Sequence, residues 1–349
     1  MDTSTASAGL ALQPRATVHR STPPVIVVGL PRSGSSYVAH VLSCLQDWFV
    51  FDDLYAYQKA QALGISTQTD LSLDREKLKE FIHSITWQLR AKIRFEKNFQ
   101  VPDLSFQDTF AMEAAVLNAL TAAPLTWPQV LEEWMMRLAL SHGKSRWGYK
   151  TPQDFMHMDE LTDTFPGVRF VYILRDPRHV LRSFKNLPRV KTRGDQDGES
   201  RQYHPAVYAL YWRKAYQTVH DFIERGRAPV EIVKFEDLIA RPHRVADRLS
   251  QFLNTTVVGP VEVDRSNSSF NLSKRRELTE TEVALCEKIA GDCMVAAGYE
   301  LQGAKPSPAD LIDLTATSAD FVTYQIQRVL TDGKARSSVL AFAKRLLAS

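Results

Sequence analysis

The residues Gly29-Leu30-Pro31-Arg32-Ser33-Gly34-Ser35-Ser36 have the make-up of an anion cradle. Gly29 and Gly34 bracket a tight loop, and Arg32 puts a cation inside it. Upstream, Val25-Ile26-Val27-Val28 is an unbroken β-branched run, the mark of a short buried strand in a parallel sheet. Downstream, Val38, Val41, Leu42 and Leu45 recur at helical spacing. Strand, glycine loop and helix together point backbone amides and a positive helix end at one place, which suits a phosphate group. The glycine spacing matches the nucleotide-binding pattern G-x-x-x-x-G-K-[ST], with Ser36 in the last position. Ser35, however, stands where that pattern needs lysine, so an ordinary ATP or GTP site lacks its contact to the terminal phosphates. A glycine turn with no ligand is the bland alternative.

The same stretch resembles the 5′-phosphosulfate loop of the sulfotransferases that use 3′-phosphoadenosine 5′-phosphosulfate (PAPS). The resemblance implies that Pro31, Arg32, Ser33, Gly34, Ser35 and Ser36 bind the cofactor. It continues in Arg175-Asp176-Pro177-Arg178-His179-Val180, with Ser183 about two helical turns on, which is similar to the family's 3′-phosphate site. A guanidinium at a strand end can hold a phosphate through two parallel hydrogen bonds. Lys150-Thr151-Pro152 resembles the family's Lys-Thr-Pro element just before its central strand. Val233-Lys234-Phe235-Glu236-Asp237-Leu238 with Arg241-Pro242 resembles its Glu-Asp-Leu turn, and Glu277 to Tyr299 its last helix. The likeness covers about residues 23–303 and is closer to the tyrosylprotein, carbohydrate and bacterial types than to the cytosolic aryl type.

Sulfuryl transfer needs an acceptor whose proton is removed and a leaving phosphate whose charge is neutralised, and geometry and electrostatics do most of that work. Arg32 and Lys150 are the candidate cations; Lys150 as a structural salt-bridge lysine is the competing reading. The resemblance implies a carboxylate base at the end of the strand after the loop, and Asp53 follows the apolar run Trp48-Phe49-Val50-Phe51. The family's residue there is a glutamate, one methylene longer. Asp52 is adjacent, and strand alternation predicts that only one of the two faces the cleft. A later histidine, as in the aryl enzymes, is a third possibility; His83, His142 and His157 are present but sit in no matching motif.

The elements that must position these groups follow from periodicity. Leu78, Phe81, Ile82, Ile85 and Leu89 form one helical stripe, and Val130, Leu131, Trp134, Met135 and Leu138 another, after Pro128 in a first turn. Residues 55–142 thus read as a helical cap insertion beside the strand ends where ligands of open α/β sheets bind. Strands are expected at Val168–Leu174 and Val230–Lys234, and helices at Ala206–Glu224, Val245–Leu253 and from Thr279 to Gly298. Leu187–Pro205 reads as a mobile loop and Asp264–Lys274 as irregular. Gly303–Pro308 reads as a linker, followed by amphipathic helices at Ser318–Leu330 and Ala335–Leu347, which would pack back on the domain, form a homodimer contact or act as a lid. The fold expected is α/β: a P-loop-like parallel β-sheet flanked by helices, with the cap insertion and a C-terminal helical extension. The divisions are a disordered leader at 1–22, a sulfotransferase domain at 23–303 and the extension at 304–349.

A formal charge of +3 is too small to argue for nucleic acid, and no apolar run is long enough to span a bilayer. The leader is rich in Ser, Thr and Ala and has no signal-peptide core, which predicts a cytoplasmic protein. Three cysteines without metal-type spacing predict neither a disulfide framework nor a zinc site; Cys44 and Cys286 read as core thiols. The function expected is sulfuryl transfer from PAPS to a hydroxyl or amine of a small-molecule or carbohydrate acceptor, without a metal. The competing readings are a P-loop kinase or other NTP-dependent phosphotransferase, marked by a need for magnesium, and an inactive module that binds adenosine 3′,5′-bisphosphate.

Overall fold

The computed structural model describes residues 23–95, 104–187, 203–261 and 276–331. The leader, the middle of the expected mobile loop, the Ser/Asn-rich stretch and the second C-terminal amphipathic segment lie outside the described residues. The chain divides into two compact units, one running to Ile173 and resuming at Phe222–Val263, the other made of Leu174–Asp221 and the chain from Asp264 onward.

The first unit is built on a sheet of five strands, β1 (Val25–Gly29), β2 (Trp48–Asp52), β3 (Arg146–Lys150), β4 (Arg169–Leu174) and β5 (Val230–Lys234), in the order β2-β3-β1-β4-β5. The pairs β2–β3, β1–β3 and β1–β4 are parallel. Every residue of β1 is buried, as a β-branched strand in the middle of a covered parallel sheet should be. Lys-Thr-Pro was expected just before the central strand; instead β1 is the middle strand, and Lys150 closes a strand of its own between β1 and β2. Arg146-Trp147-Gly148-Tyr149-Lys150 gave no strand signal because it has charged ends and a glycine in place of an apolar run. That glycine is what the sheet needs: a Cβ on Gly148 would run into the Val25 carbonyl.

Helix α1 (Ser35–Ser43) follows the loop, and α2 (Ala56–Ala62), α3 (Arg75–Phe95), α4 (Asp108–Ala119) and α5 (Trp127–Ser141) fill the segment between β2 and β3. Both expected stripes are fully covered, with Leu78, Phe81, Ile82, Ile85 and Leu89 on α3 and Val130, Leu131, Trp134, Met135 and Leu138 on α5 all buried. Each such side chain contributes roughly 1.5–3 kcal/mol. Trp134 donates to Thr86 Oγ1 at 3.1 Å and meets Phe51 of β2 edge-on, so α5 is locked to both α3 and the sheet. Thr126 and Gln129 form a capping box that starts α5, with Pro128 in its first turn. After β3 come a 3-10 helix (Pro152–His157) and α6 (Met158–Thr164).

The second unit contains α7 (Pro177–Lys185) and α8 (Pro205–Glu224), whose last turn belongs to the first unit. Beyond β5, α9 (Phe235–Ala240) and α10 (Pro242–Leu253) also lie in the first unit. The second unit then adds α11 (Glu280–Ala296) and α12 (Pro308–Thr331). Helix α11 starts where expected, after Thr279, which caps it reciprocally with Glu282. The expected linker is irregular up to residue 307, but the helix after it is corrected here: α12 begins at Pro308 rather than Ser318, and Leu311, Ile312, Val322, Ile326 and Leu330 are exposed on it. Cys286 and Cys293 are buried free thiols; Cys44, at the end of α1, is only half-buried rather than in the core. Among the described residues no helix is long and apolar enough to cross a membrane, and no cluster of three metal-ligating side chains occurs.

Candidate active site

The loop between β1 and α1 is shaped by three positive-φ residues. Gly29 has φ 154° and a side chain there would lie 2.7 Å from the Ile173 carbonyl oxygen, so only glycine lets β1 pass β4 into the turn. Gly34, at φ 94°, presses against the Phe235 ring and is the N-cap of α1. Arg32 takes φ 74°, a conformation that costs a non-glycine residue on the order of 1–3 kcal/mol and marks a site where geometry is imposed. No side chain caps the N-terminus of α1, and its first turn carries no acid. Ser33 and Ser35 are buried, while Ser36 is exposed.

Parallel pairing carries a second set of groups to the same edge of the sheet. The register sets Asp52 beside Lys150, and Lys150 beside Val27, just short of the loop. The Lys150 ammonium, on a buried side chain, lies 2.7 Å from Asp52 Oδ1 and 2.7 Å from Asp53 Oδ1, and donates to Ser36 Oγ at 3.2 Å. Both carboxylates therefore reach one lysine, against the expectation that only one would face the cleft. Alternation ends because β2 stops at Asp52 and Asp53 turns left-handed at φ 58°. Tyr55, also left-handed, donates its backbone N–H to Thr151 Oγ1 at 3.0 Å and its hydroxyl to Asp53 Oδ1 at 3.3 Å. Burial and the Asp53 charge push the Tyr55 phenol well above the ordinary range, so it stays a donor.

Two further groups had no signal in the sequence. Lys92, near the end of α3, is buried with its ammonium 3.7 Å from Asp52 Oδ2; read as part of a helical periodicity it is merely a polar residue between apolar ones. Asp154, in the 3-10 helix after Lys-Thr-Pro, is fully buried and accepts from Gln58 Nε2 of α2 at 2.5 Å. Burial pushes its carboxyl up to about 7, and the neighbouring Gln58 and Tyr149 offset only part of that.

The histidines weighed as bases have other surroundings. His83 Nδ1 is 3.2 Å from Glu113, which Arg90 holds at 2.5 Å; His83 and Glu113 line an open groove of about 660 Å³. His142 packs against the Phe49 ring with the two rings tilted by 32°, and its Nδ1 lies 2.7 Å from the Leu138 carbonyl. His157 is buried against Tyr57.

Arg175 and Ser183 belong to the second unit, and both are buried. Arg175 directly follows β4, and its carbonyl accepts from Trp212 Nε1 at 2.8 Å. Asp176 caps α7 by accepting from the Arg178 N–H. The other cations of this run meet carboxylates within the unit: Arg178 with Asp176 and Glu287, Arg182 with Glu277, and Lys185 with Glu282.

Residues 23–258 match the sequence profile described as the Sulfotransferase family, roughly two thirds of the chain. No curated protein matches the chain. Among solved structures, similar chains include the sulfotransferase domain from the curacin biosynthetic pathway, at 19% identity and TM-score 0.47, over 80% of this chain and 99% of that one. Another is the sulfotransferase domain from the Synechococcus PCC 7002 olefin synthase, at 16% identity and TM-score 0.44, over 80% and 98%. A third is sulfotransferase STF9 from Mycobacterium avium, at 16% identity and TM-score 0.41, over 82% and 79%. The family match, spanning the glycine loop, Lys150 and both aspartates, shows that this chain belongs to the sulfotransferase family.

Proposed function

We propose that the protein transfers the sulfuryl group of PAPS to a hydroxyl or amine of a small-molecule or carbohydrate acceptor, releasing adenosine 3′,5′-bisphosphate. The observation that carries this reading is the position of the Lys150 ammonium, which touches the loop through Ser36 and a carboxylate through Asp53. A cation so placed spans the distance between an anion seated on the loop and a base. The loop suits a phosphate: Gly29 and Gly34 allow the tight positive-φ turn against Ile173 and Phe235, and the α1 N-terminus has neither a capping side chain nor an acid in its first turn.

PAPS supplies the sulfuryl group and a phosphate leaving group. In this reading the α1 amides and Pro31–Ser36 hold the 5′ end, and the resemblance assigns the 3′-phosphate to Arg175 and Ser183. Asp53 takes the acceptor proton as the acceptor oxygen or nitrogen bonds to sulfur, and the bond from sulfur to the phosphate oxygen breaks. Arg32 and Lys150 neutralise the charge left on that oxygen, so charge neutralisation is assigned to side chains rather than to a metal ion. Tyr55, a donor to Asp53, orients the base. The helical segment 55–142 is assigned to the acceptor. The test is incubation with PAPS and a library of hydroxyl and amine acceptors without added metal. The expected result is an acceptor mass gain of one sulfuryl group with stoichiometric adenosine 3′,5′-bisphosphate; release of the bisphosphate with no sulfated acceptor would refute the transfer.

A further inference from the structure

We propose that Lys92 is a positioning residue for sulfuryl transfer, sharing Asp52 with Lys150 so that the Lys150 charge remains available on the loop side. The inference rests on the reading of the site given above and concerns a residue that no part of that reading uses. Lys150 lies 2.7 Å from one oxygen of each aspartate. An ammonium held between two carboxylates forms a group of net charge −1, which would repel an anion approaching the loop. Lys92 completes the balance: its ammonium stands 3.7 Å from the other oxygen of Asp52, so two lysines face two aspartates.

The surroundings favour this role over a packing role. The Lys92 side chain is 1% exposed, and burying an ammonium is costly unless a partner compensates for the lost hydration. Helix α3 already packs through Leu78, Phe81, Ile82, Ile85 and Leu89. Arg90, two residues earlier and equally buried, is directed to Thr109 and Glu113 instead. The charged and polar groups that meet at the cluster include Asp52 at the end of β2, Asp53 after it, Lys150 of β3, Lys92 of α3, the Tyr55 hydroxyl and Ser36 of α1. Asp52, bracketed by two lysines, is the fixed counter-ion; Asp53, bound to one lysine and a phenol and the more exposed of the two, is the group left to take a proton.

The experiment is a charge cycle on the full chain. Lys92→Met keeps length and apolar volume and removes the charge. It is expected to lower kcat on the order of 10–100-fold and to weaken adenosine 3′,5′-bisphosphate binding, read by calorimetry, about tenfold, with acceptor KM little changed. Lys92→Arg restores most of both. The decisive variant is Lys92→Met combined with Asp52→Asn, in which the cluster is neutral again. Its bisphosphate affinity returns to within a few-fold of the wild-type value, and adding Lys92→Met to Asp52→Asn costs little, whereas a purely structural lysine would lower both backgrounds equally. The double variant buries no unpaired charge, so the cycle is read from it and Asp52→Asn if Lys92→Met alone does not fold. Equal losses in the two backgrounds, or wild-type kcat and affinity in Lys92→Met, overturn the proposal while leaving the PAPS reading intact. A wild-type protein that binds no adenosine 3′,5′-bisphosphate overturns that reading and this proposal with it.

Discussion

Replacing Asp154 by asparagine should make the protein more stable at alkaline pH than at acid pH, relative to wild type. The carboxyl is fully buried and its ionisation moves from the ordinary 3.8 up to about 7, with burial as the main cause. A carboxyl raised in the folded state binds its proton more tightly there than in the unfolded chain. Its stability contribution is therefore complete below about pH 4 and is lost as pH rises towards 7. Each pKa unit of difference corresponds to about 1.4 kcal/mol, which places the whole loss on the order of 4 kcal/mol, about 2–3 kcal/mol of it between pH 5 and 8. Asparagine keeps the volume and an oxygen for the Gln58 amide, but has no proton to lose. The assay is urea unfolding of both proteins at pH 5 and pH 8, followed by tryptophan fluorescence. Five of the six tryptophans lie in the unit that holds Asp154, so the signal reports that unit. The difference between variant and wild type should grow in favour of the variant by about 2–3 kcal/mol between the two pH values. An unchanged difference would refute the reasoning, because it would mean that Asp154 ionises as readily in the folded chain as in the unfolded one.

Three further outcomes are expected. Asp53→Asn should lower kcat by about 10² or more with adenosine 3′,5′-bisphosphate affinity retained, since the proton acceptor goes and the loop stays; steady-state kinetics with parallel calorimetry would show it. Arg175→Ala should weaken adenosine 3′,5′-bisphosphate at least tenfold through loss of a charge-assisted phosphate contact, and unchanged affinity by titration would remove Arg175 from the site. Gly34→Ala forces a Cβ against the Phe235 ring at a positive φ; a loss of roughly 1–3 kcal/mol in unfolding free energy and of measurable bisphosphate binding is expected, against a neutral effect if the loop can rearrange.

Local chemistry made much of the fold legible. The β-branched run from Val25 to Val28 could only be comfortable in a covered strand, and the stripes from Leu78 to Leu89 and Val130 to Leu138 could only be helices with one buried face. The expected start at Thr279 lies within one residue of the first residue of α11. These signals depend on neighbours in sequence, so they survive being read without the rest of the molecule. The loop was legible for the same reason: its glycines, its arginine and the apolar helix after it are contiguous.

The carboxylate and lysine cluster was not legible in that way. Alternation along β2 separates Asp52 from Asp53, and only the left-handed turn at Asp53 brings both to Lys150. Lys150 reaches them because β3 inserts between β1 and β2, a pairing that Gly148 permits by close approach to Val25 and that no periodicity announces. Lys92 and Asp154 read as ordinary polar residues until packing buries them, one against Asp52 and the other against Gln58. Thus the sequence alone determined most of the strands and helices and the turn of the glycine loop, because those follow from local periodicity and backbone freedom. Which charges meet, and which of them must sit buried, was decided only by strand order and register, because electrostatic partners are chosen by distance in space and by the loss of water around them.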